Sequence, residues 1–249
     1  MLAIVSAMPE EIALVVDALA RVETRELGRR VFHAGTFHGV EAVAVFSRMG
    51  KVAAAATITQ LIASYPVSRL LFSGVAGGVR RGLAIGDIIV ASALIQHDMD
   101  ASPIFPRYEV PLLGQARFET DADTRERLLA AAHGFLAHDL RTYVAGRELE
   151  FFDVSSPQAS LGVVASGDKF FASALEVEEL RGRLPETACV EMEGAAAAQV
   201  CAEYGIPFGV VRTISDSADE NSVHDFPRFA REIARHYSAG TLERFARAL

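Results

Sequence analysis

The stretch Cys189-Val190-Glu191-Met192-Glu193-Gly194-Ala195-Ala196-Ala197-Ala198 decides how this chain is read. A short apolar run ends in two carboxylates, and a glycine with four alanines then opens a tightly packed helix. This is a strand-to-helix junction. α/β proteins collect polar groups for ligands at the carboxyl ends of their strands. Glu191 and Glu193 stand two apart, so in extended backbone their side chains share one face and Met192 takes the other. Acids at a helix start also suit the helix dipole without any ligand. The rest of the chain decides between these readings.

Composition sets the bounds. The chain has 249 residues and is 51% hydrophobic, enough for one large α/β domain with a sizeable buried core. Its net charge is −8, from 24 Lys and Arg against 32 Asp and Glu. With no concentrated basic stripe, this argues against nucleic acid as a partner. Cys189 and Cys201 lie in apolar or helical context without a CxxC or Cys/His cluster, and read as reduced thiols of a cytoplasmic protein. The N-terminus meets Glu10 and Glu11 after a short apolar run and lacks the basic start of a signal peptide. No apolar run approaches the roughly 18 residues of a membrane span. Asp87 interrupts the best candidate, 83–95.

Working outward, 187–190 reads as the strand and 194–204 as the helix of the opening stretch. Residues 208–213 read as another apolar strand, leading into Ile214-Ser215-Asp216-Ser217-Ala218-Asp219. Asp216 there stands at a strand end or caps a turn. A terminal amphipathic helix is expected over 225–248. Upstream, strand 161–165 runs into Ser166-Gly167-Asp168, a turn and helix-cap signature, with a helix to about residue 184. Phe170 and Phe171 just after it suit stacking on a flat heterocycle or anchoring that helix in the core.

The first half follows the same logic. Residues 2–6 read as a buried strand, then Ala7-Met8-Pro9-Glu10-Glu11 opens a helix to about residue 20. Pro9 fits the first turn, whose N–H groups are unpaired anyway. Glu10 and Glu11 suit the dipole, or one of them turns inward from the strand end. Strands at 31–36 and 40–46 flank His38-Gly39, and 52–64 is an Ala-rich helix. Strand 69–73 empties into Gly74-Val75-Ala76-Gly77-Gly78, where glycines let backbone approach a ligand closely. The spacing is neither a Walker A loop nor a dinucleotide fingerprint. A strand from 86 to 96 ends at His97-Asp98-Met99-Asp100, whose spacing does not put three metal ligands on one face. Residues 101–114 carry Pro103, Pro106 and Pro111 beside Phe105 and Tyr108, a loop that seats a partner chain, caps a pocket or simply connects. Residues 121–137 are helical and 138–158 show no pattern. No repeat or linker divides the chain, so one domain over 1–249 is expected.

Five motifs in order carry a family resemblance. They are Ala-Met-Pro-Glu-Glu at 7–11, Gly-Lys-Val-Ala-Ala-Ala at 50–55, Ser-Gly-Asp at 166–168, Val-Glu-Met-Glu at 190–193 and Ile-Ser-Asp at 214–216. Together they resemble the nucleoside phosphorylase and nucleosidase superfamily, and within it the 5′-methylthioadenosine/S-adenosylhomocysteine nucleosidases. The resemblance implies an α/β fold: a three-layer single domain with a central mixed β-sheet flanked by helices. It implies hydrolysis of the N-glycosidic bond of adenosine thioethers, releasing adenine. Asp216 resembles the general acid that protonates adenine N7, and Glu11 the carboxylate that positions and activates water. Glu193 resembles the residue that holds the ribose hydroxyls, with Met192 against the sugar. Phe170 resembles the aromatic packed on adenine, and Phe171 the residue whose backbone meets the base edge. Met8 and Met49 line the sugar and alkylthio side, and Ala76 and Gly77 of the Gly-rich turn complete the binding set. The resemblance implies no metal or organic cofactor, a small-molecule nucleoside substrate and a homodimer, with Phe105 as the aromatic nearest a neighbouring pocket.

The chemistry suits these residue types. Glycosidic cleavage develops positive charge on the ribose and negative charge on the leaving base. An acid beside N7 neutralises the base, and carboxylates near the sugar stabilise the oxocarbenium-like centre. Val75 stands where many family members have Ser. A phosphorylase would want hydroxyl and guanidinium donors for phosphate there, so water is the expected nucleophile. The competing readings are a superfamily hydrolase of futalosine-type nucleosides, a phosphorylase, or a non-catalytic nucleoside-binding protein.

Overall fold

The first strand, β1 (Leu2–Ser6), is buried at every residue, and its side chains divide by parity. Leu2 and Ile4 pack into one apolar cluster, Ala3 and Val5 into the other. That is the period of a strand covered on both faces. The computed structural model describes residues 1–216 and 222–249, and side chains outside 222–225.

β1 lies parallel between β4 (Val40–Phe46) and β5 (Arg69–Gly78). Beyond β4 come β3 (Arg30–Phe37) and the edge strand β2 (Leu19–Leu27), both antiparallel to their neighbours. On the other side β5 pairs parallel with β10 (Phe208–Asp216) and antiparallel with β9 (Thr187–Glu191). β10 pairs antiparallel with β6 (Ile88–Gln96), β6 parallel with β8 (Ala159–Ser166), and β8 parallel with β9. These five strands therefore close on themselves, and short β7 (Arg117–Glu119) borders β6. The sheet is mixed, and helices cover both faces.

One layer holds α1 (Pro9–Asp17), α3 (Ala122–Gly134), α4 (Leu140–Tyr143), α5 (Gly146–Phe151), α8 (Ser222–Phe229) and α9 (Arg235–Arg247). The opposite layer holds α2 (Lys51–Ser64) and α7 (Gly194–Tyr204). α7 sits tight on the sheet because its first turns carry only glycine and alanine. A Cβ at Gly194 would stand 2.6 Å from Leu94. α6 (Ala174–Arg183) closes a smaller cluster with Phe171 and Val190.

The structure corrects several sequence expectations. α1 stops at Asp17, and Leu19 opens β2 instead of ending a helix. Of β2 only Leu19 is buried, so an exposed edge strand left no hydrophobic alternation to read. Gly74–Gly78 is no turn: it continues β5, because β10 and β9 supply its hydrogen-bonding partners. Ser-Gly-Asp does not open a helix, since α6 begins only at Ala174 and 167–173 is a loop. The unpatterned stretch 138–158 contains α4 and α5, too short to display a helical period. The C-terminal helix is divided by a π-helical turn, Ala230–Ala234. Residues 217–219 of the stretch after Asp216 lie outside the described residues.

Packing between α9 and the π-helical turn Phe135–Asp139 is close enough to test. A Cβ at Gly240 would stand 2.4 Å from the buried Phe135 ring. Alanine gains about 1 kcal/mol of helix propensity over glycine, while core overpacking costs about 1–3 kcal/mol. Gly240→Ala is expected to lower Tm, by about 2–4 °C for each kcal/mol of net loss at this chain length. A thermal melt with an unchanged or raised Tm would contradict this packing.

Candidate active site

Strand ends and the segments after them converge on one cavity. β1 leads into Ala7, Met8 and Glu11, and β5 brings Val75, Ala76 and Gly77. β9 brings Val190 and Glu191, followed by Met192 and Glu193, and β10 brings Ser215 and Asp216. Met49 follows β4, Lys169, Phe170 and Phe171 follow β8, and Phe226 comes from α8. The space, counted with its open mouth, is about 560 Å³. Met8, Glu11, Met49, Ala76, Gly77, Phe170, Phe171, Met192, Glu193 and Asp216 all line it.

Glu11 is the carboxylate that turns inward; Glu10 beside it stays exposed. The Ala7 and Met8 amides donate to Glu11 Oε2 at 3.0 Å each, and the Val75 amide donates to Oε1 at 3.1 Å. This approach needs glycine at 74, where a Cβ would lie 2.9 Å from Glu11 Oε1. Burial raises the Glu11 pKa, against the Arg212 charge and the three amides, which pull it down.

Glu191 and Glu193 do not share a face. The backbone leaves extended geometry after Glu191, and Glu193 becomes the N-cap of α7. Glu191 turns to the buried guanidinium of Arg212, whose Nη2 donates to Oε2 at 2.5 Å. It also accepts the Gly194 amide at 2.8 Å, the Glu193 amide at 3.1 Å and the Ser166 hydroxyl. Glu193 faces the cavity and accepts the Gly50 amide at 2.8 Å. Burial first, then the Glu191 charge, push the Glu193 carboxyl up to about 8.

Asp216 closes β10, where Ser215 Oγ donates to its Oδ2 at 2.6 Å and orients the carboxyl. Phe170 is 44% exposed at the cavity wall, and Phe226 meets it edge to face at 6.1 Å. Phe171 is buried against His97, ring centroids 5.3 Å apart. His97, Asp98 and Asp100 do not converge: Asp98 instead pairs with Lys51, and Asp100 with Arg107. Phe105 is half-buried and does not line the cavity, while neighbouring Ile104 is 82% exposed.

Arg212 and Phe226 were not anticipated from sequence. Arg212 had a signal: an arginine inside the apolar run 208–214 is buried only if an acid meets it. Phe226 carried none, since its place over the cavity depends on where α8 packs.

Comparison with known proteins identifies the family. The phosphorylase superfamily model matches residues 1–247. The chain belongs to that superfamily. Among its members, the 5′-methylthioadenosine/S-adenosylhomocysteine nucleosidase of Geobacillus thermodenitrificans is 34% identical over 94% of this chain and 91% of its own. The aminodeoxyfutalosine nucleosidase of Helicobacter pylori strain J99 is 36% identical over 96% of this chain and 95% of its own. The crystal structure of the Neisseria meningitidis 5′-methylthioadenosine/S-adenosylhomocysteine nucleosidase with methylthio-immucillin-A superposes with a TM-score of 0.86. It is 30% identical and covers 100% of this chain and 99% of that one. The superfamily fold expected from sequence, a mixed sheet flanked by helices, is the fold observed.

The Glu193 environment has a consequence for stability. Its carboxyl titrates near 8 when folded against an ordinary 4.5, so the folded state holds the proton more tightly. Its contribution is complete below about pH 4.5 and is lost as pH rises through about 8. Glu193→Gln is therefore expected to flatten the fall in Tm of the ligand-free protein across that window. Wild-type and variant melts that stay parallel from acid to pH 8 would refute the assignment.

Proposed function

We propose that this protein is a purine nucleosidase that hydrolyses the N-glycosidic bond of adenosine thioethers, 5′-methylthioadenosine and S-adenosylhomocysteine, releasing adenine. The observation that carries this reading is the convergence of Glu11, Glu193 and Asp216, from distant parts of the chain, on one cavity walled by Phe170. Superfamily relatives that are nucleosidases over nearly the whole chain support it.

In this reading the base lies along Phe170 with its edge at the Phe171 backbone, and Asp216 stands beside N7. The ribose hydroxyls bind Glu193, and Met192 packs on the sugar. Met8 and Met49 face the 5′ substituent, with Ala76 and Gly77 letting the ligand lie close to β5. The C1′–N9 bond breaks and its electron pair leaves with the base, which takes a proton from Asp216 at N7. Water adds its oxygen to C1′ and yields a proton to Glu11. The products are adenine and the 5-thio-substituted sugar. The carboxylates of the wall oppose the positive charge developing at C1′.

The same wall disfavours phosphate as nucleophile. Val75 offers no hydroxyl, and the Arg212 guanidinium is engaged by Glu191. Lys169, the one cation among the described cavity-lining residues, pairs with Glu176 at the mouth.

A second substrate reading has its own support, the 36% identity to the aminodeoxyfutalosine nucleosidase. It changes the 5′ group and keeps the carboxylate roles. A homodimer is part of the proposal. In loop 101–114, Ile104 is 82% and Leu112 92% exposed, apolar surface that a second copy would cover. Two buried, free cysteines fit a cytoplasmic location, and no described helix is long and apolar enough to cross a membrane.

Adenine release from methylthioadenosine, adenosylhomocysteine and aminodeoxyfutalosine in phosphate-free buffer tests the function. Turnover without phosphate is expected; adenine formed only on adding phosphate would exclude hydrolysis. Asp216→Asn and Glu11→Gln are each expected to lower kcat by about 10²–10⁴-fold. Near wild-type rates in both would remove these roles. Sedimentation velocity is expected to give twice the chain mass, and a monomer at micromolar concentration would contradict the dimer.

A further inference from the structure

The loop 167–173 that carries Phe170 and Phe171 contains neither helix nor strand. Something else must hold it, since stacking on a base requires a fixed ring. The polar contacts on Asp168 supply this. Its backbone amide donates to Asp98 Oδ2 at 2.9 Å, and its Oδ1 accepts the Lys51 amide at 2.8 Å. Lys51 closes the ring, its Nζ donating to Asp98 Oδ1 at 2.6 Å and to Gln96 Oε1 at 3.1 Å. Three residues from three segments, the start of α2, the end of β6 and the loop after β8, thus form one hydrogen-bonded cycle. Burial would raise the Asp98 carboxyl, but the bonds from Lys51 and the Asp168 amide outweigh it and hold it below the usual carboxylate range.

The neighbouring peptide makes this cycle more than a loop anchor. Gly50 is the N-cap of α2 with φ +96°, and its amide donates to Glu193 Oε1 at 2.8 Å. Two successive amides at the start of one helix therefore diverge. One holds the carboxylate that faces the sugar, and the other holds the loop that faces the base. A Cβ at Gly50 would meet Asp168 Oδ1 at 3.2 Å, so a side chain there would crowd this junction.

We infer that Lys51, Asp98 and Asp168 are positioning residues that lock the base-binding loop to the sugar-binding carboxylate through the Gly50–Lys51 backbone. They set the distance across which the glycosidic bond is held. This inference rests on the nucleosidase reading above. None of the three touches the reacting atoms. Their effect is on the alignment of base and sugar in the transition state, where a misplacement near 1 Å costs on the order of 10²-fold in rate. The Lys51–Asp98 pair itself is partly exposed and contributes little to stability.

The test compares wild type with Lys51→Met, Asp98→Asn, the double variant and Lys51→Arg. Adenine release by wild type is measured first; its absence for every nucleoside tested would overturn the functional reading, and this inference with it. Given wild-type turnover, Lys51→Met is expected to lower kcat at least tenfold. Affinity for free adenine, which meets the base loop and Asp216 but not Glu193, is expected to stay within threefold. The double variant should be no slower than the slower single, and Lys51→Arg should recover most of the loss. A kcat within threefold of wild type in Lys51→Met would overturn the inference. So would adenine affinity falling in step with kcat, which indicates a collapsed loop and not a lost alignment.

Discussion

The ion pair between Arg212 and Glu191 is the constraint on which the rest of the site depends. Both side chains are almost wholly buried, and they meet at 2.5 Å. Removing two charges from water is costly, and deleting one partner of such a pair costs about 3–5 kcal/mol because the other is left uncompensated. The pair persists because its surroundings satisfy it. Glu191 takes two amides from the start of α7 and a hydroxyl from the end of β8, and the Arg212 guanidinium lies 4.6 Å from the Phe72 ring centroid. The ends of β8 and β9 and the middle of β10 are thereby tied at one node, and these strands lead, in turn, into the loop with Phe170, to Glu193 and to Asp216.

The node also sets the electrostatics. The Arg212 charge pulls down the pKa values of both Glu11 and Glu193, while burial raises them. The two acids are separated by their other partners. Glu11 accepts three backbone amides, whereas Glu193 accepts one and stands beside the Glu191 charge. Glu11 and Glu193 line the same cavity, so an ionised carboxylate there opposes positive charge developing at a sugar carbon.

Much of this was legible in the chain. The helix start marked by Pro9 directly after a buried strand put Glu10 and Glu11 forward together, and the family resemblance chose Glu11. Asp216 and Glu193 stood out as acids ending apolar runs. The failures have physical causes. Asp168 reads as a helix cap by its sequence neighbours, yet the amide its side chain accepts belongs to Lys51, 117 residues away. Gly74–Gly78 reads as a turn, yet two neighbouring strands complete its hydrogen bonds and keep it extended. Arg212 was passed over within an apolar strand because its partner lies on another one.

By itself, the sequence determined the alternation of buried strands with helices, the strand ends where polar residues collect, and the order of motifs that marks the superfamily. These are local properties, set by side-chain periodicity and by what can start or stop a helix. The resemblance named Glu193 over Glu191, but only the tertiary structure gives the physical reason that Glu193 is the one facing the cavity. Glu191 and Glu193 are equivalent in an extended chain. The buried Arg212 claims the first, because a charge in the core must be met by an opposite charge. The backbone then turns into α7 and leaves the second facing the cavity.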